Sequence, residues 1–271
     1  MADTERLLWQ CDISEHGSFR RILEGINTVL DVVQLHGHLG KDEGFNGISV
    51  GSTDPTMVCA VQAQYNAQCQ KVHQGAFSSS FRIDLKQAIV VLRRIPDNAA
   101  AVYRTFESHT EVQYSLGGEK NAGSFSLPHI HSLSDSDIGL AGITTDHCVE
   151  VPVTGRDGIR DIITTARKLD AAETTFTIDK GALMISYENS SGIRGKERLG
   201  QLSEWTAEYS GKFNTTYLYR FCKGVDFPSV ILGFKNCGAL VLTYSFGMEN
   251  TYLRFVLAPY AGEGNDAMDA C

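Results

Sequence analysis

A chain of 271 residues with 42% hydrophobic content is long enough to bury one large core or two medium ones. Its formal charge of −8 excludes a protein that coats nucleic acid with its whole surface, because phosphate binding needs clustered Lys and Arg. No apolar run approaches the ~18 residues that span a bilayer, and the polar stretch MADTERLLWQ has no signal-peptide character, which predicts a protein inside the cell and away from membranes.

LLWQCDIS reads as an opening strand. From there Phe19, Ile22, Leu23, Ile26, Val29, Leu30 and Val33 recur at i, i+3, i+4 and i+7, which predicts an amphipathic helix over 18–33 with Arg20, Arg21 and Asn27 outside. GISVGSTDPTMVCAVQAQY and FRIDL follow as alternating strands punctuated by Gly and Asp. A second helix over 84–95 buries Leu85, Ala88, Ile89 and Leu92, presents Lys86, Arg93 and Arg94, and stops at Pro96. EVQYSL (111–116) is a further strand. Residues 118–146 are rich in Gly and Ser without helical period and read as an extended linker, although Leu127, Ile130, Leu133, Ile138, Leu140 and Ile143 need cover from a sheet or a ligand.

The second half repeats the order. HCVEVPV opens it, and a helix over 154–168 buries Ile159, Ile162, Ile163 and Ala166 while exposing Arg156, Arg160, Arg167 and Lys168. TTFTI and GALMISYE are strands; a helix over 214–224 buries Leu218, Phe221 and Cys222 and exposes Arg220 and Lys223. SVILGF, CGALVLTYSF and TYLRFVLAPY close the chain, the last broken by Pro259, which has no N–H for a ladder. Strand, basic helix, strands, basic helix and strands thus occur twice. This predicts an α+β protein made of a duplicated unit, with domains over 1–117 and 147–271 joined by 118–146.

The four helices hold eleven basic and five acidic residues, a net of +6 inside a chain of −8, so the remainder carries −14. A solvated helix face ordinarily mixes signs, so this segregation points to an anionic partner.

Catalytic and metal chemistry find no support. Gly47-Ile48-Ser49-Val50-Gly51 matches G-x-S-x-G, but a nucleophile elbow needs a helix directly after its strand, and another strand-like run follows here. His36 with His38, and His129 with His131, lack the Cys or carboxylate ligands that would complete a metal site. GHLGKD is too short for a phosphate loop, and Asp42 after Lys41 would repel phosphate. Asn189 and Asn214 stand in N-x-S/T sequons that a protein inside the cell does not use. The seven cysteines, odd in number and without a C-x-x-C pair, fit buried thiols. No catalytic residue, metal or cofactor is expected.

SFRRILEGI, GISVGSTDPTMVCAVQ, YLYRFCKG and LVLTYSFGMENTYLRFVLAP occur in the order and spacing of the first basic helix, the S-x-D turn between strands, the last helix and the closing hairpin of proliferating cell nuclear antigen. The chain resembles that DNA-clamp family over essentially its whole length. The resemblance implies a non-enzymatic two-domain DNA clamp of the processivity fold, three copies of which form a ring that encircles duplex DNA without regard to sequence. Carried over by position, Arg20, Arg21, Arg220 and Lys223 match channel-facing basic positions, and Lys86, Arg93, Arg94, Arg156, Arg160 and Arg167 match less closely.

The resemblance also gives the apolar L-A-P corner a role. Val256, Ala258 and Pro259, Ile138 and Leu140 on the linker, Met57, Val58 and Ala60 beside the STDPTM turn, and Ala239 would form the pocket that docks short peptides from DNA polymerase, the clamp loader, flap nuclease and DNA ligase. Tyr114 would lie in the subunit interface, with 111–116 of one subunit meeting 194–202 of the next. A homotrimeric replication clamp working in the nucleus, or in the cytoplasm or a viral factory for an archaeal or viral chain, is the first reading. A subunit of a heterotrimeric damage-checkpoint clamp, or a viral processivity factor, is the alternative. Thr53 and Pro55 in the turn, the glycine-rich linker and Tyr260 after L-A-P depart from the family pattern.

Overall fold

Trp9, Cys11 and Ile13 are buried while Gln10 and Asp12 are only partly so, and this period of two builds the first strand, β1 (Trp9–Ile13). The computed structural model describes residues 6–39, 45–71, 80–116, 122–130, 145, 147–155, 158–202, 208–224, 226–234 and 238–260. The chain divides into two units, one of Met1–Ser52, Gln62–Gly139 and Ser245–Leu253, the other of Thr53–Val61, Leu140–Tyr244 and Arg254–Cys271. Among the described residues no helix is long and apolar enough to cross a membrane.

In the first unit, α1 (His16–Asn27) buries Phe19, Ile22, Leu23 and Ile26, as its periodicity requires. It ends at Asn27 rather than at Val33: the Thr28 hydroxyl donates to the Gly25 carbonyl at 2.7 Å, and from Val33 burial alternates with Leu35 in a strand, β2 (Val32–Leu39). Leu30 and Val33 satisfy a helical period and a strand period equally well, and the β-branched pair Val32-Val33 favours the strand. There follow β3 (Asn46–Thr53), β4 (Cys59–Asn66), β5 (Gln68–Lys71), β6 (Ser80–Asp84), α2 (Leu85–Leu92), β7 (Ala100–Thr105), β8 (His109–Ser115) and β9 (Ala122–Pro128). The Asp84 carboxylate caps α2 by accepting from the Gln87 amide at 3.0 Å. The strands run in the orders β4-β3-β2-β6 and β5-β1-β7-β8-β9, and α1 packs beside α2.

Two expectations change here. Cys11 and Cys69 are directly opposite each other in the β1/β5 ladder and form a disulfide, so these two are not free thiols. Cys59 and Cys222 are buried and free, and Cys148 is free and exposed. The linker expected over 118–146 contains β9, which pairs antiparallel with β8 from Ser115↔Ala122 to His109↔Pro128 and buries Leu127. Consequently β8, the strand expected at the subunit edge, lies between β7 and β9 and has no free edge. Gly123 leaves room for the Tyr114 ring: a Cβ there would sit 2.7 Å from that ring, which stacks on Phe125.

The second unit has β10 (His147–Pro152), α3 (Ile159–Lys168), β11 (Glu173–Asp179), β12 (Ala182–Glu188), β13 (Arg194–Gln201), β14 (Tyr209–Asn214), α4 (Thr215–Lys223), β15 (Ser229–Phe234), β16 (Leu240–Ser245) and β17 (Tyr252–Leu257). Strand orders are β13-β12-β11-β14 and β10-β15-β16-β17, which repeat those of the first unit except that nothing among the described residues corresponds to β5. α3 packs beside α4. Duplication is therefore visible in connectivity, and β9 is the counterpart of β17. Asn214 is the α4 cap, its Oδ1 accepting from the Thr216 amide at 2.9 Å and the Tyr217 amide at 3.3 Å. The Asn189 side chain likewise holds a turn, donating to the Leu169 carbonyl and accepting from the Ser191 and Ile193 amides.

Candidate functional site

Each unit carries basic residues on its helix pair as well as on its strands, and those of the helices are not equally available. On α1, Arg20 is only 16% exposed and pairs with Asp97 at 2.8 Å and Glu24 at 3.7 Å. Arg93, which follows α2, donates to Glu24 at 2.7 Å, and Lys86 pairs with Asp31 at 2.9 Å. Glu24 thereby gathers two of the expected phosphate ligands of this unit. Arg21, whose Nε donates to the Gly17 carbonyl, and Arg94 are exposed and form no ion pair among the described residues.

In the second unit, Arg160 donates to the Cys222 carbonyl at 2.9 Å and lies 3.7 Å from Asp226, so it ties α3 to the end of α4. Arg167 is half-exposed and 3.7 Å from Asp170. Arg220 and Lys223 are exposed on α4, their cations over the rings of Tyr217 and Tyr219 at 5.7 and 5.4 Å. Lys168 shares this exposed character with them. Arg156 lies outside the described residues. Among the described residues Arg21, Arg94, Lys168, Arg220 and Lys223 are thus exposed without an acidic partner, while Arg20, Lys86, Arg93, Arg160 and Arg167 have one. Sequence separation hides that difference, since Asp97 and Asp226 come from other segments.

The apolar corner is assembled within the second unit from three segments. After β17, the Ala258 amide donates to the Val58 carbonyl at 2.9 Å, joining the L-A-P end to the turn before β4. The Tyr260 amide donates to the Lys212 carbonyl at 2.7 Å, and the Tyr209 hydroxyl to the Gly238 carbonyl at 2.9 Å. Gly238, at φ +82°, faces Pro259, where a Cβ would stand 3.4 Å from the proline ring. Met57 is 66% exposed; Val58, Ala239, Val256, Ala258 and Pro259 are partly exposed, and Ala60 is buried and offers little surface. Ile138 and Leu140 lie outside the described residues.

The turn that carries Met57 depends on a pair that local sequence reading misses, Asp54 within the turn and Tyr217 on α4. Asp54 is 3% exposed, and its carboxylate accepts from the Cys59 amide at 2.9 Å, the Thr56 hydroxyl and the Tyr217 hydroxyl. Burial alone would raise the Asp54 pKa, but these donors together hold it below its ordinary value. Burial and Asp54 push the Cys59 thiol up to about 12, so it stays protonated. Asp54 and Tyr217 are 163 residues apart; only an aspartate beside Pro55 hinted that the turn has a special residue.

Ser49 lies within β3, hydrogen-bonded to His38 at 2.6 Å, and no helix follows it. His129 shares hydrogen bonds with Thr110 and the Glu107 carbonyl, and His131 lies outside the described residues. Among the described residues no group of His, Cys, Asp and Glu is placed to hold a metal.

No protein-family model matches this chain, and no curated protein matches it by sequence. Solved structures do match. The chain is similar to the PCNA2–PCNA3 complex from Sulfolobus tokodaii, with a TM-score of 0.72 and 16% identity over 93% of this chain and 100% of that chain. It is likewise similar to the proliferating cellular nuclear antigen of Entamoeba histolytica, with a TM-score of 0.76 and 16% identity over 94% and 100%. The shared feature is the fold, four helices on antiparallel sheets in two like units.

Proposed function

We propose that this chain, which has the fold of the PCNA-type clamps, is a DNA sliding clamp that encircles duplex DNA and tethers other proteins through the apolar corner. The observation that carries the proposal is the coincidence of that fold with basic helix pairs in an acidic chain. Exchangeable, sequence-independent phosphate contacts suit sliding, and an acidic remainder disfavours binding DNA on the wrong face. Arg21, Arg94, Lys168, Arg220 and Lys223 are assigned to the phosphates. Met57, Val58, Ala239, Val256, Ala258 and Pro259, with Ile138 and Leu140, are assigned to client peptides from polymerase, clamp loader, flap nuclease and ligase. No catalytic step is assigned, and a eukaryotic chain of this kind would work in the nucleus.

Three copies would close the ring through sheet edges. Because β8 is paired on both sides, we assign the closing edge to β9 and the receiving edge to β13. Internal repetition supports the choice. At the end of β17, the counterpart of β9, the chain is bonded to the segment leading into β4, the counterpart of β13; β9 and β13 end their own strand orders.

A second reading, a subunit of a heteromeric clamp, is favoured by the likeness to a PCNA2–PCNA3 complex. The solution mass of the purified chain separates the two: a trimer supports the first, and a monomer or dimer that becomes a trimer only with a related chain supports the second. Retention on circular duplex DNA after loading, with loss on linearisation, tests encirclement itself. Retention that survives linearisation would sink the clamp reading.

A further inference from the structure

We propose that Tyr217, on the basic helix α4, and Asp54 form the positioning pair of the docking turn, holding Asp54–Cys59 in the shape that presents Met57. The inference rests on reading that corner as a peptide-binding site. Met57 adopts φ +59°, a conformation that L side chains rarely take, and it is the most exposed large apolar side chain of its unit among the described residues. Something must hold it there. The backbone contributes two bonds, Asp54 N–H to the Cys59 carbonyl and Met57 N–H to the Asp54 carbonyl, both at 2.9 Å. The Asp54 carboxylate supplies the rest, with one oxygen on the Cys59 amide and the other shared by Thr56 and Tyr217.

Tyr217 grips the turn twice, since its hydroxyl donates to Asp54 at 2.5 Å and lies 3.1 Å from the Thr56 hydroxyl. Its own place is set from the helix. Asn214 binds its amide, Arg220 lies over its ring and Phe221 packs beside it at 6.2 Å. A turn closed only by its own backbone could reshape around Met57; one fastened to a capped helix cannot do so without breaking a bond to a buried carboxylate. Preorganisation of this kind raises affinity by removing the ordering cost of the loop. The titratable groups that face Asp54 are Tyr217 from α4 and Cys59 from β4, and Arg220 from α4 acts on Cys59.

Tyr217→Phe in the full chain is the test, because it removes the hydroxyl and keeps the ring under Arg220. Two quantities are read: the 13C-methyl resonance of Met57 against pH, and the affinity for a synthetic peptide carrying a Gln, an aliphatic anchor and two adjacent aromatics. In the wild type the Met57 resonance should hold steady until pH falls through the depressed Asp54 range. In Tyr217→Phe the change should begin at higher pH, and peptide affinity at neutral pH should fall roughly tenfold. Thr56→Val removes the neighbouring hydroxyl and should act in the same direction, which guards against a folding defect in the first variant. A Met57 resonance and pH profile unchanged in both variants overturns the positioning role. Failure of the wild type to bind any such peptide, with the Met57 response as expected, overturns the reading of the corner and leaves the positioning role standing.

Discussion

The Arg20 guanidinium lies 2.8 Å from the Asp97 carboxylate, so the first arginine of α1 already has an acidic partner. Its neighbour Arg21 is exposed and has no acidic partner among the described residues. Replacing Arg21, Arg220 and Lys223 by Glu is therefore expected to weaken duplex binding and to reduce the slope of log K against log salt by roughly one unit per lost contact. Arg20→Ala should barely alter that slope and should instead cost about 1 kcal/mol in urea unfolding. Fluorescence anisotropy between about 50 and 200 mM salt measures the first effect. Equal slopes for the triple variant and the wild type would refute the assignment of phosphate contacts.

Ring closure through β9 makes a charge-specific prediction. β13 presents Arg194, Lys196 and Arg198 at its exposed positions, and Ser124 and Ser126 are the exposed polar residues of β9. Like charges placed opposite one another on paired strands destabilise the pair. Ser124→Lys with Ser126→Lys should dissociate the trimer at low micromolar concentration, whereas Ser124→Glu with Ser126→Glu should leave it intact or tighten it. Sedimentation velocity checks both. Tyr114→Ala is expected to loosen the β8/β9 pairing over Gly123 and so to weaken assembly indirectly, with a fall in thermal stability that the Ser variants do not show.

At the apolar corner, Met57→Ala with Pro259→Ser should reduce peptide affinity from an expected Kd on the order of 1 μM by at least tenfold, measured by titration calorimetry. Retention on circular DNA should be unchanged, because neither residue belongs to the basic helices. Unaltered peptide binding in this double variant would place the docking site elsewhere.

His16 makes the fold acid-sensitive. Its ring is fully buried at the start of α1, stacked on Tyr103, and neither ring nitrogen has a hydrogen-bond partner among the described residues. Burial first, and then Arg20, lower its pKa from 6.5 to about 4, against a smaller opposing effect of Asp97. Between those two values the unfolded chain binds a proton that the folded chain refuses, so stability falls as pH falls through that window. The loss between pH 7 and pH 5 should be about 2 kcal/mol, and His16→Leu should flatten it. Urea unfolding at the two pH values is the measurement, and a slope that survives in His16→Leu would assign the effect to another group.

Much of the architecture is legible in the sequence because helix and strand faces repeat locally. Ile159, Ile162, Ile163 and Ala166 announce α3 by spacing alone, and all four are buried. The misplacements share one cause, which is that a local pattern served two structures. Leu30 and Val33 fit a helix or a strand, so α1 reads too long; AGSFSLP has no β-branched residue, so β9 reads as linker. β9 pairs because β8 offers it an edge, and that edge is not a property of those seven residues.

What the sequence determined by itself is the duplicated α+β plan, the helix faces and the concentration of positive charge on them, since each depends on residues within a few positions of one another. Tertiary structure alone decided which cations remain available, that Cys11 meets Cys69, that β9 rather than β8 stands at the edge, and that Tyr217 fastens the turn at Asp54. Each of these joins segments distant in the chain. Periodicity fixes which way a side chain faces, but only the folded backbone brings its partner within the few ångströms over which an ion pair, a disulfide or a hydrogen bond acts.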